Sequence, residues 1–158
     1  WVAAYGAEAA HAMAALIAQE PEDVLVVSAL LQDAVLPITE IRYERAARRL
    51  ALLVNRFRWE DKAAAEARRR PYERVRSLLV ISDVVAVARQ GIDLTDRDTV
   101  LSLLSLSWEP GEDGTGRLVL VFAGDGAIAA DVECLDLTLR DVTRPYKAPS
   151  GQVPDHDL

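Results

Sequence analysis

Acid–base, nucleophilic and metal chemistry need histidines, cysteines or clustered carboxylates that converge, and this sequence supplies few of them. The two histidines are His11 and His156, close to either end of the chain. Neither is placed as a general base in a formed cleft, so serine and cysteine hydrolase arrangements lack an oriented base. One cysteine and two terminal histidines do not make a tetrahedral zinc site. Asp131 and Glu133 stand two residues apart on one face of a strand, where they could hold a divalent cation or act as a catalytic pair; a solvated strand face explains the same spacing. Asp93, Asp96 and Asp98 do not fit the spacing of a calcium loop and read as helix entry and capping. Gly124 and Gly126 match no nucleotide fingerprint and belong to a hairpin turn. Cys134 lies among apolar neighbours beside Glu133 and Asp136, which marks a small buried hydrophobe rather than a reactive thiol. No catalytic residue, cofactor or metal ligand is assigned, and the chain reads as a non-enzyme.

Charge gives a stronger lead. The 158 residues carry a formal net charge of −7, which argues against generic nucleic-acid binding. The average conceals a division of sign: residues 42–76 hold twelve basic side chains against five acids, or +7, and the rest of the chain holds −14. Arg56 and Arg58 alternate with Phe57 and Trp59, and Arg74 and Arg76 share one side of a later strand. Two strands could thus present rows of guanidinium groups interleaved with aromatics, a surface able to grip phosphates and stack bases. Ordinary use of charge on exposed strand faces explains the pattern equally, and a surface of both signs complements itself. The partners expected are a second copy of the chain or an acidic protein, with nucleic acid as the alternative.

These residues need elements to carry them. Pro21, Glu22 and Asp23 form a helix start, and Val24, Val27, Leu31 and Val35 recur at helical spacing, which predicts a helix over 21–35 ended by Pro37. Beyond it the period shortens. Strands are expected over 38–43 and 49–59, then a mobile loop or helical turn over 61–70 closed by Pro71. The β-branched run 75–89 reads as one bent strand or two short ones. Thr95 and Asp98 suggest a capped helix over 96–103 that passes into a strand ending at Trp108. Residues 110–116 form a turn, and Asp125-Gly126 closes a hairpin between 117–122 and 128–132. After Cys134 the apolar phase slips by one residue, to Leu135, Leu137 and Leu139; a strand continued past a bulge or a terminal helix using Leu135, Leu139 and Val142 would both explain it, and the strand is the reading favoured. The sequence around Tyr43-Glu44 and Arg49-Leu50 is echoed at Trp108-Glu109 and Arg117-Leu118.

Composition bounds the setting. Apolar residues at 51% and charged residues at 27% describe a folding chain. A single cysteine excludes an intrachain disulfide and suits a reducing, cytoplasmic compartment. The apolar stretch 24–36 is too short and too interrupted to span a bilayer. The Ala-rich residues 2–18 read as a marginal amphipathic helix rather than a signal peptide, and with Trp1 at the first position an upstream start is expected.

The segments VLVVSALLQDAV (24–35), LLVNRFRWE (52–60) and FAGDGAIAADVECL (122–135) resemble the bacterial family called domain of unknown function 2948, over residues 18–146. The resemblance implies a small cytoplasmic bacterial protein and supplies no activity, cofactor or catalytic residue. The Ala-rich stretch before Ile17 departs from the family pattern.

The expected fold is α+β: an N-terminal helix packed on a curved antiparallel sheet, a roll or partly closed barrel of about seven strands. Residues 1–18 are an extension, 19–146 the domain and 147–158 a disordered tail. The expected function is a non-enzymatic binding or assembly domain acting through its Arg-rich hairpin region, Arg56, Phe57, Arg58, Trp59, Arg74 and Arg76. A nucleic-acid-binding module is the alternative, and a carboxylate or divalent-metal enzyme a distant one.

Overall fold

The computed structural model describes residues 15–149 and 151–154. In chain order these form β1 (Ala15–Ala18), α1 (Pro21–Leu31), β2 (Val35–Pro37), β3 (Ile41–Glu44), β4 (Arg49–Phe57), α2 (Lys62–Ala67), β5 (Glu73–Ile81), β6 (Val84–Gln90), β7 (Val100–Pro110), β8 (Gly116–Phe122), β9 (Gly126–Val132), β10 (Leu137–Asp141) and β11 (Tyr146–Lys147). Short 3₁₀ turns cover Ile38–Glu40 and Trp59–Asp61. The molecule is mostly antiparallel sheet with two short helices.

The strand order is β1-β10-β5-β4-β2-β7-β8-β9-β6, with β3 added on β4 and β11 on β5. The expected seven strands are therefore eleven among the described residues, and the expected roll or partly closed barrel is an open sheet ending at β1 and β6. A single strand turns this sheet into two layers. Residues Val100 to Ser102 of β7 pair with β2, and from Leu103 the strand pairs with β8, with an irregularity in that ladder between Leu103 and Ser105. Extra residues of this kind bend a strand and tighten its twist. Both layers contribute to one apolar core, from Leu52, Leu79 and Ile81 on one side to Leu118, Leu120 and Phe122 on the other.

The two layers exchange strands reciprocally. The meander β3-β4-β5 lies in the first layer, and its successor β6 crosses to pair with β9; the meander β7-β8-β9 lies in the second, and its successor β10 crosses to pair with β5. At the crossing the Ser82 N–H donates to the Asp136 carbonyl (2.9 Å) and the Glu133 N–H donates to the Asp83 carbonyl (3.0 Å). Ile81 stands opposite Leu137 as Val132 stands opposite Val84, so the exchange has a local two-fold relation. The sequence echo marks the hairpins that open the two meanders: Tyr43 faces Leu50 and Trp108 faces Leu118. The meanders differ by two residues in register, since Leu50 lies opposite Ile81 but Gly116, not Leu118, lies opposite Val132.

Local structure follows the residues, with several corrections. Pro21 and the acids Glu22 and Asp23 open α1 as expected, but the helix stops at Leu31, before Val35. Asp33 turns the chain through a left-handed conformation (φ 62°), and its N–H donates to the Leu103 carbonyl (2.8 Å), which delivers Val35 into β2. Val24, Val27 and Leu31 bury the helix, mainly on β7. The 61–70 stretch holds helix α2 rather than a mobile loop. The helix expected over 96–103 is absent: Thr95 donates its N–H to Asp93 and Asp98 donates its N–H to Asp96, so these side chains form local turns and β7 begins at Val100. The phase slip after Cys134 is the crossing link, and β10 is a strand. Residues 15–18, read as extension, form β1 on β10. Past 146, Lys147 pairs with Glu73, and buried Ala148 donates its N–H to the Tyr72 carbonyl. The helix reading of 2–14 falls outside the described residues.

A methyl group at Gly116 would overlap the Trp108 ring and the Glu109 carbonyl. Gly116→Ala is expected to lower the unfolding free energy by about 1–3 kcal/mol, read from the urea midpoint. An unchanged midpoint would show that Trp108 moves aside freely.

Candidate functional site

Along β4 the even-numbered positions Leu50, Leu52, Val54 and Arg56 share the core face. Alternation therefore sends the Arg56 guanidinium inward, where it is 1% exposed, and a buried cation needs partners for its charge and its five N–H groups. Ser77 and Asp141 supply them from the inner faces of β5 and β10, opposite each other in the ladder. Arg56 Nε donates to Ser77 Oγ (3.0 Å), Nη2 to Asp141 Oδ1 (3.1 Å), and the Ser77 hydroxyl donates to the same Asp141 oxygen (2.6 Å). On its outer side the fork donates two parallel bonds to Glu60, at 2.9 and 2.8 Å. That pair is the bidentate geometry that makes arginine the residue for buried ion pairs.

The network continues through the segment after β4. Arg58, also buried, is paired with Glu73 of β5, and Arg70 donates two 2.6 Å bonds to Asp61. Phe57 is buried with its ring 4.7 Å from Trp59 and 5.6 Å from Tyr72, and the Trp59 indole donates to the Gln32 carbonyl at the end of α1 (3.0 Å). Four of the six expected binding residues, Arg56, Phe57, Arg58 and Trp59, are thus joined in an internal cluster that fixes α2 over the ends of β4 and β5. They do not present alternating guanidinium and aromatic rows to solvent. Sequence reasoning missed Asp141, Ser77 and Glu60 as the partners; the signal was the even-number phase that Arg56 shares with Leu50 and Leu52.

Arg74 and Arg76 lie on the opposite face, the outer side of the first layer. Arg74 is half-buried and donates to the side chain of Asn55 (2.6 Å) and to its carbonyl (2.9 Å); burial pulls its pKa down. The Asn55 amide in turn donates to the Tyr146 hydroxyl. Arg76 is exposed, and its backbone N–H donates to Thr143 Oγ1. Ladder pairing sets Ile17, Thr138, Val80, Ala51 and Arg42 in one row across this face, and Ala15, Arg140, Leu78 and Leu53 in the next. Leu53, Leu78 and Val80 are partly buried there, Ile17 is 63% exposed, and exposed Arg42, Arg76 and Arg140 stand around them.

The remaining sequence candidates fall elsewhere. Asp131 is paired with Arg117 (2.7 Å) and Glu133 with Arg48 (2.6 Å), so each carboxylate is engaged by a separate arginine. Cys134 is exposed, which corrects the buried reading: the crossing link turns it outward, and its thiol donates to Asp83 (3.2 Å). That hydrogen bond, with partial burial and the acids around it, pushes the thiol pKa up. His11 and His156 lie outside the described residues. Among the described residues no three His, Cys, Asp or Glu side chains form a metal-binding group, and no helix is long and apolar enough to cross a membrane.

Fold and surface together define an open antiparallel β-protein, braced inside by an arginine-centred ion network and bearing a basic-rimmed apolar sheet face. The model of the family described as Protein of unknown function (DUF2948) matches residues 14–156, nearly the whole chain, and the chain belongs to that family. No curated protein and no solved structure matches it.

Burial pushes the Glu60 carboxyl pKa up, but the hydrogen bonds and field of Arg56 outweigh it and hold the group below its ordinary value. A depressed carboxylate stabilises the fold above its unfolded pKa, about 4.3, and that contribution is lost as pH falls through the folded value. Stability is therefore expected to hold from pH 7 to about 5 and to drop below about 4. Glu60→Gln should cost about 2 kcal/mol at pH 7 and shrink the acid-induced drop, as measured by chemical denaturation across pH. An equal drop in both proteins would place the acid sensitivity elsewhere.

Proposed function

We propose that this protein is a non-enzymatic binding or assembly domain whose working surface is the outer face of the first layer. The observation that carries the reading is the composition of that face. An antiparallel sheet with one wet side ordinarily turns polar residues outward. Here Ile17, Leu53, Leu78 and Val80 point outward instead, with Arg42, Arg76 and Arg140 at their margin. Exposed apolar patches rimmed by charge are typical of protein interaction sites, and arginine is enriched in them.

The complement of such a face is acidic, and this chain carries one. Residues 84–136, which form β6, the β6–β7 loop and the second layer, hold ten acids and three basic side chains. Most of those acids are exposed in turns, at Asp93, Asp96, Asp98, Glu112, Asp113 and Asp125 among others. A second copy is the first partner by charge, and an acidic protein the next. The nucleic-acid reading loses its interleaved rows with the burial of Arg56, Phe57 and Arg58. The carboxylate-enzyme reading gains nothing from an Asp131 and a Glu133 already engaged by arginines.

Light scattering on size-separated protein, over a range of concentrations and at low and high salt, tests this. A dimer or larger species that dissociates with salt is expected, and Arg76→Glu with Arg140→Glu should weaken it at least about tenfold. A monomer under every condition would rule out the second copy as the partner. Salt-steep binding of single-stranded DNA that needs Arg76 and Arg140 would move the reading to nucleic acid.

A further inference from the structure

The sheet does not close, and the opening is lined. Among the described residues β3 pairs with no strand but β4 and β6 with none but β9; one bond, from the Val84 N–H to the Arg48 carbonyl (2.9 Å), ties the start of β6 to the β3–β4 turn, and beyond it the two edges face each other unpaired. Between these edges lies a cavity of about 300 Å³. Its floor is the core itself, Leu50 and Ile128, both nearly fully buried. Ile41, Tyr43 and Val87 form the walls, and Leu94, 40% exposed, stands at the mouth.

Among the described residues the charged side chains lining this cavity are Arg45 and Arg89. Arg45 holds its guanidinium over the Tyr43 ring, 5.7 Å from the centroid, a cation–π arrangement that fixes its place at the rim. Among the described residues neither arginine makes a salt bridge, in a molecule whose Arg48, Arg56, Arg58, Arg70 and Arg117 all do. Asp93, which feels the charge of Arg89, has its carboxylate bonded to the N–H and hydroxyl of Thr95, at 2.9 and 2.5 Å.

We infer that this seam is a binding site for an amphipathic monoanion, with an apolar chain seated on Leu50 and Ile128 and a carboxylate at Arg45 and Arg89. An apolar pocket with a few convergent polar groups is the usual form of a small-molecule site, and this one lies at the small end of the range. At about 30 Å³ for each water-sized group it holds about ten non-hydrogen atoms, the size of an eight-carbon carboxylate. Burial of the tail drives binding, and the paired arginines select the sign of the head group. The site is on the β3–β6 seam, away from the outer face of β5 and β10, so it stands or falls independently of self-association.

Titration calorimetry of the full chain with octanoate, and separately with octylammonium, tests the site. Octanoate is expected to bind saturably, one per chain, and octylammonium to give no saturable heat. Arg45→Gln with Arg89→Gln should weaken octanoate at least tenfold; both side chains are exposed, so an unchanged melting temperature of the unliganded variant will show that the fold is intact. A second variant, Leu94→Asp, places a negative charge at the mouth and should abolish octanoate binding. Absence of saturable octanoate binding at millimolar concentration, equal binding of the two amphiphiles, or an unaltered affinity in the arginine variant would each overturn the inference.

Discussion

The burial of the Arg56 guanidinium is the constraint around which the first layer is organised. A cation on the core face of a central strand cannot remain unpaired, because the cost of leaving it so is several kcal/mol. The chain meets this with three elements far apart in sequence: Ser77 on β5, Asp141 on β10 and Glu60 just past β4. Each partner fixes a position. Asp141 holds β10, the strand that crosses from the second layer, and Glu60 draws the segment leading to α2 over the strand ends. Arg58 with Glu73 and Arg70 with Asp61 then fasten that segment on its other side.

This arrangement changes what the uneven charge distribution means. The excess of arginine over residues 42–76 is real, but Arg56, Arg58 and Arg70 are engaged by Glu60, Glu73 and Asp61 of the same region and by Asp141, so these three do not add to a basic surface. On the outer face of the first layer the exposed cations are Arg42, Arg76 and Arg140, joined across strands by register rather than by proximity in sequence. The same geometry explains the seam. A sheet turned within β7 and pinned at the β5–β6 and β9–β10 crossing leaves β3 and β6 each without a strand on one side, and among the described residues Arg45 and Arg89 at the mouth of the seam form no salt bridge.

Much of the fold is legible in residue pattern. Pro21 with its acids marks α1, Asp125-Gly126 marks the β8–β9 turn, and Leu50, Leu52 and Val54 give the buried face of β4. The errors have particular physical causes. Val35 continues the helical spacing of Val24, Val27 and Leu31, yet a left-handed Asp33 breaks the helix first, through a hydrogen bond to distant Leu103. Thr95 and Asp98 have the spacing of a cap, yet their local bonds serve turns. Arg56 and Arg58 read as solvent-facing because local sequence does not show Asp141, 85 positions away along the chain from Arg56. Long-range partners decide which face of a strand can take a charge. The outer face was legible only in part: Arg74 and Arg76 were singled out, while Arg140, Leu78 and Leu53 become neighbours through strand order.

The most direct test of the central role of Arg56 is a double-mutant cycle on unfolding free energy with Arg56→Met and Asp141→Leu. Each single change should cost about 3–5 kcal/mol, because it leaves a buried charge without its partner. The double variant should then be more stable than the sum of the two losses predicts, by at least about 2 kcal/mol. Losses that simply add, or an Arg56→Met protein as stable as the wild type, would contradict the account.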